Sequence, residues 1–159
     1  MKKILVLLII ACQLISCHSK KDEVTKVSSK NTDNIIEEID NVGEIREYEG
    51  ILPCADCSGI ETVLKIYQGD GTVESHRFEL SSLYKGKSQE IIEDDGNYNL
   101  ERGLADDPDG TIYVLNWDKP EDEQIYYGYL SETPDKIYLL DNKRQIIKSK
   151  LNNTLILKK

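Results

Sequence analysis

From Ile45 to Lys159, short runs enriched in Ile, Val, Leu, Tyr and Thr recur roughly every ten residues, separated by clusters of Gly, Asp, Asn and Pro. This rhythm predicts antiparallel strands at 46–52, 60–68, 72–80, 88–92, 96–101, 111–117, 124–130, 136–141 and 155–157. Thr62, Leu64 and Ile66 alternate with Glu61 and Lys65, as in a strand with one face on a core and the other in water. Gly69-Asp70-Gly71 predicts a hairpin, because glycine and aspartate tolerate the positive φ of tight turns. Asp106-Asp107-Pro108-Asp109-Gly110 predicts a second turn. Eight or nine short strands in sequence leave exposed edges unless they close, so the expected fold is all-β, an up-and-down antiparallel barrel, with a sandwich as the alternative.

The N-terminal segment follows another pattern. Lys2 and Lys3 precede an apolar stretch from Ile4 to Ala11, then small and polar residues lead to Ser16. This is the order of a secretory signal peptide, and the stretch is short of the ~20 residues that span a bilayer. Leu14-Ile15-Ser16-Cys17 has the form of a lipobox, making Cys17 the lipidated first residue after cleavage. His18 rather than aspartate follows, which points toward the outer membrane. From His18 to about Glu44 the chain is rich in Lys, Ser, Asn, Asp and Glu, the composition of a disordered tether. The expected organisation is a signal peptide at 1–16, a lipidated tether at 17–44 and a barrel at 45–159.

Charge narrows the partners. The chain holds 20 basic and 29 acidic residues, a formal charge of −9; removing residues 1–16 deletes Lys2 and Lys3 and no acid, which makes it −11. Such a surface repels nucleic acid and anionic lipid, so acyl chains rather than a basic patch would hold the membrane. Nine tyrosines stand against one Trp and one Phe, and suit strands that are apolar at the ring and wet at the hydroxyl.

The candidate chemistry is Cys54-Ala55-Asp56-Cys57, with Pro53 before it and Ser58-Gly59 after it. A thioredoxin-type site needs a helix N-terminus to stabilise the thiolate, but the residues after Cys57 read as strand, and Asp56 raises thiol pKa values. Structural zinc needs four ligands, and only His18 and His76 remain to join the pair. Cu(I) is soft and accepts two thiolates alone. A disulfide pinning the loop suits an oxidising envelope, and the two states are compatible if the short-loop disulfide opens on reduction. Ser81 and Ser82 lack nucleophile-elbow glycines, His76 beside Arg77 reads as a solvated residue, and the acidic stretches lack EF-hand spacing. No catalytic constellation is visible, and the reading is non-enzymatic.

The run Tyr48-Glu49-Gly50-Ile51-Leu52-Pro53-Cys54-Ala55-Asp56-Cys57-Ser58-Gly59-Ile60-Glu61-Thr62 resembles the N-terminal domain of the NlpE family, as do Gly69-Asp70-Gly71-Thr72 and Leu140-Asp141-Asn142. The resemblance covers about residues 46 to 158. It implies a small lipocalin-like barrel, outer-membrane anchorage, and a role in copper resistance or in envelope stress sensing through a Cpx-type sensor kinase. It carries over Cys54 and Cys57 as the copper-binding or redox-responsive pair. The enterobacterial pattern adds an OB-fold domain with its own disulfide, whereas no cysteine follows Cys57 here, so redox sensing through that disulfide does not carry over. The alternative reading is a lipocalin-like lipoprotein that carries a small apolar ligand or lipid in the barrel, with the cysteines a structural disulfide.

Overall fold

A computed structural model describes residues 43–159. The expected signal peptide, Cys17 and nearly all of the expected tether lie outside the described residues. Eight antiparallel strands form one closed barrel in sequence order: β1 (Ile45–Leu52), β2 (Ile60–Tyr67), β3 (Arg77–Tyr84), β4 (Ile91–Leu104), β5 (Asp107–Leu115), β6 (Ile125–Tyr129), β7 (Lys136–Leu139) and β8 (Thr154–Leu157). The all-β barrel is therefore found, and the sandwich is not. Closure rests on two register pairs between the first and last strands, Tyr48 with Leu157 and Glu49 with Ile156.

Alternation puts Thr62, Leu64 and Ile66 of β2 inside, each at most 1% exposed. Leu64 and Ile66 pack with Tyr48, Phe78, Tyr127, Ile137, Leu155 and other inward residues into one cluster. A second core lies on the outer side of the wall. Leu104, Ile112, Val114, Tyr126 and Leu140 are buried together, with Ile146 packed against them. The segment after β7 covers that face: Leu140 bridges to Ile146, and the Arg144 guanidinium lies 4.7 Å over the Tyr126 ring with its Nε 2.9 Å from Glu101 Oε2. β5 is thus apolar on both faces, which a pattern of strict alternation does not anticipate.

Three boundaries differ from the expectation. The strand expected at 72–80 starts only at Arg77, behind a 3-10 turn at Val73–Ser75. Here side chains capture the backbone before it can pair: Thr72 donates its N–H (2.9 Å) and hydroxyl (2.8 Å) to Asp70 Oδ1, and Ser75 Oγ donates to the Thr72 carbonyl. These bonds hold the Asp70 carboxyl down at about 2. Gly69 and Gly71 do take positive φ, +56° and +88°.

The strands expected at 88–92 and 96–101 are one, the 14-residue β4. Gly96 does not interrupt it. A Cβ there would lie 2.7 Å from Asn116 Oδ1 and 3.2 Å from the Phe78 ring, so this glycine marks a close approach rather than a break. The turn expected at 106–110 shrinks to Ala105-Asp106, with β5 starting at Asp107. The β4–β5 register slips between Arg102 and Leu104, a bulge that accommodates Pro108 opposite it.

Because β8 is only four residues long, the buried Leu155 must hold it. Leu155→Ala is expected to lower the unfolding free energy by about 2–5 kcal/mol, whereas Ile156→Ala, on the outer face, should change it by no more than about 0.5 kcal/mol. Urea denaturation of the two variants checks this.

Candidate functional site

The cysteine run forms the β1–β2 connection. Leu52 and Ile60 are register partners, so residues 53–59 project from the barrel end as a loop. Gly59 closes it at φ +140°, where a Cβ would meet Ile51 Cγ2 at 2.6 Å. No other residue type fits both that conformation and that space. Cys54 and Cys57 are joined as a disulfide, with their Cα atoms 5.3 Å apart, and both residues are partly exposed.

The loop is docked on the β3–β4 hairpin. Register carries Ile60 opposite Tyr84, and the ladder continues beyond the strand: Ser58 N–H donates to the Lys85 carbonyl at 3.0 Å, and Lys85 N–H to the Gly59 carbonyl at 2.9 Å. Lys87 adds an ion pair with Asp56. Its ammonium holds the Asp56 carboxyl below the ordinary carboxylate range. Oxygen atoms surround the sulfurs, with Asp56 Oδ1 3.6 Å from Cys54 Sγ and the Gly59 carbonyl 3.4 Å from Cys57 Sγ. These oxygens are acceptors, so neither supplies the sulfurs with a hydrogen-bond donor of the kind that stabilises a thiolate. β2 follows Cys57 by three residues, so no helix dipole offsets them. The arrangement suits a disulfide or a soft cation that displaces the thiol protons, and not disulfide exchange of the thioredoxin kind.

The other sequence candidates do not converge on the pair. His76 precedes β3 and lies a full strand length from Tyr84, the residue beside the loop. It is buried rather than solvated, at 6% exposure. Its ring stacks on Tyr98 at 4.5 Å and 3°, and its Nδ1 is buried without a hydrogen-bond partner among the described residues. Ser82 pairs with Thr62 inside the wall and Ser81 with Val63 outside it. His18 lies outside the described residues. Lys87 is the site residue that sequence reasoning missed. It sits 31 positions from Asp56, and only the β2–β3 register brings the two together.

The tyrosines fill the opposite end of the barrel. Tyr98 meets Tyr113 edge-on at 5.5 Å, Tyr113 packs on Tyr129 at 5.8 Å, and the Tyr48 hydroxyl donates to the Pro134 carbonyl at 3.3 Å. Burial pushes the Tyr98 phenol up to about 12 and Tyr113 further. These residues pack against one another inside that end of the barrel.

Fold and site together define a small closed-barrel domain bearing a disulfide loop at one end. Residues 48–150 match the family model of the NlpE N-terminal domain, more than half of the chain, and the chain belongs to that family. Two crystal structures are similar. A chain from Shewanella oneidensis described as a lipoprotein is 25% identical, with 79% of this chain and 96% of that one covered and a TM-score of 0.49. The Cpx pathway activator NlpE from Escherichia coli is 24% identical, with 67% of this chain and 47% of that one covered and a TM-score of 0.41. No curated protein matches the chain.

The Asp56–Lys87 pair makes the docking pH-dependent. Because the folded pKa of Asp56 is depressed, its contribution is present above the ordinary carboxylate pKa and is lost as pH falls through the folded value. Lys87→Ala should return the Asp56 pKa upward to the ordinary range of about 3.9, as read by carboxyl NMR titration.

Proposed function

We infer that this protein is an envelope-associated lipoprotein whose Cys54–Cys57 loop is a redox- and copper-responsive element. The observation that carries this reading is that both sulfurs lie in an exposed loop outside the packed interior, where they can open without opening the barrel. In an oxidising envelope the pair rests as a disulfide. On reduction it presents two sulfurs to Cu(I), which needs no further ligand. Membership of the NlpE family supports the lipoprotein assignment, with acyl chains on Cys17 and the outer membrane as its location.

The same membership supports a role in copper tolerance and in reporting envelope stress to a Cpx-type sensor kinase. The protein acts in this reading by binding and signalling, not by catalysis.

A Cu(I) competition titration against a chromogenic chelator tests the proposal on reduced protein. One-to-one binding is expected, and it should disappear in the Cys54→Ser/Cys57→Ser variant. Equal, weak binding by both proteins would make the loop a structural disulfide only.

A further inference from the structure

Among the described residues, the barrel wall carries a strand edge that no other strand covers. β3 pairs with β4 along Arg77–Leu83, opposite Ile91–Asn97, but β5 pairs only with the other half of β4, starting at Tyr98 opposite Leu115. The last backbone bond on that side runs from Asn116 N–H to the Asn97 carbonyl at 2.9 Å. Backbone groups alternate sides along a strand, so those of Ile91, Glu93 and Asp95 point the same way as those of Asn97, away from β3. Among the described residues no backbone partner meets them.

The flanking side chains give this edge a character. Ile91 and Ile92 are each 56% exposed, although Ile92 lies on the inward face, and Trp117, just past the end of β5, is 41% exposed. Glu90, Glu93 and Asp95 are exposed and have no ion-pair partner among the described residues. Asp94 accepts from Asn116 Nδ2 at 3.1 Å. Beside the edge is a cavity of about 620 Å³, lined in part by Tyr67, Glu79, Ser81, Glu93 and Asp95.

We propose that the Ile91–Asp95 edge of β4 is a docking site for an extended cationic segment of a partner protein, which adds to the sheet as a strand. An open ladder supplies the backbone bonds, and alternation fixes the sequence preference. On the outer face, partner side chains lie beside Glu93 and Asp95 and are basic. On the inner face they lie beside Ile92 and are apolar. The carboxylates also exclude the commonest rival, a second copy, because two such edges brought together set like charges opposite one another. The proposal does not rest on the cysteine loop, although the hairpin that docks that loop ends where this edge begins, at Ile91.

The probe is a capped peptide alternating lysine and valine, titrated onto the full chain and followed by NMR with amide exchange. The amides of Ile91, Glu93 and Asp95 should exchange fast in the free chain and slow on binding. Ile91→Pro removes an edge donor without touching the β3 ladder or the charge, and Glu93→Lys/Asp95→Lys reverses the charge without touching the ladder. Each should weaken binding about tenfold or more, with far-UV circular dichroism unchanged. The charge-reversed variant should also lose the salt dependence of binding. Equal binding by wild type and Ile91→Pro would reduce the contact to nonspecific charge attraction and overturn the proposal. Slow exchange of the three amides in the free chain would overturn it too: concentration-dependent protection would assign the edge to a second copy, and concentration-independent protection to the chain's own N-terminal segment.

Discussion

Everything in this domain depends on the packing of inward side chains across the barrel, because the backbone seam that closes it is so short. Two register pairs join β1 to β8, too few to hold a ring of eight strands by hydrogen bonds worth about 1 kcal/mol each. Tyr48 and Leu155, both fully buried, stitch the seam from within, and Gly50 lets the strands approach, since a Cβ there would lie 2.9 Å from the Thr154 carbonyl. At the tyrosine end the rings of Tyr98, Tyr113 and Tyr129 meet edge-on or tilted, and Tyr98 stacks on His76. The cysteine loop contributes nothing to that packing, and its freedom to change state follows from this separation.

The fold was legible where one periodicity dominated. Alternation in β2 and the positive-φ glycines at 69 and 71 read correctly, and the Cys-x-x-Cys run was recognisable as a loop between strands. Failures came where a tertiary partner changed a residue's meaning. Glu93-Asp94-Asp95 looked like a turn because the β3 residues they pair with, Ser81, Leu80 and Glu79, are distant in sequence. His76 looked solvated beside Arg77 because its stacking partner, Tyr98, belongs to the next strand. The site was half legible: Cys54, Cys57 and Asp56 are adjacent, but Lys87 enters only through cross-strand register. The outer core on β5 was hidden because strands apolar on both faces resemble ordinary core runs, and its cover, the segment after β7, has no periodicity of its own.

Charge is distributed with the same economy. Much of it lies on the outer face in cross-strand pairs such as Lys65 with Glu79 at 3.0 Å and Lys158 with Glu47 at 2.8 Å, which are exposed and each worth little. Three acids with no ion-pair partner among the described residues, Glu90, Glu93 and Asp95, lie where β4 outruns β5. The barrel therefore presents two separate features to its surroundings, a sulfur loop at one end and an acidic strand edge in the wall, on a scaffold that neither one supports.

Amide hydrogen exchange before and after reduction of the Cys54–Cys57 disulfide tests whether loop and barrel are separate. Altered protection confined to residues 53–59 and 85–88, with the eight strands unchanged, is the result this account predicts. Loss of protection through β1, β2 and β8 on reduction would contradict it, and would make the disulfide a structural member of the barrel.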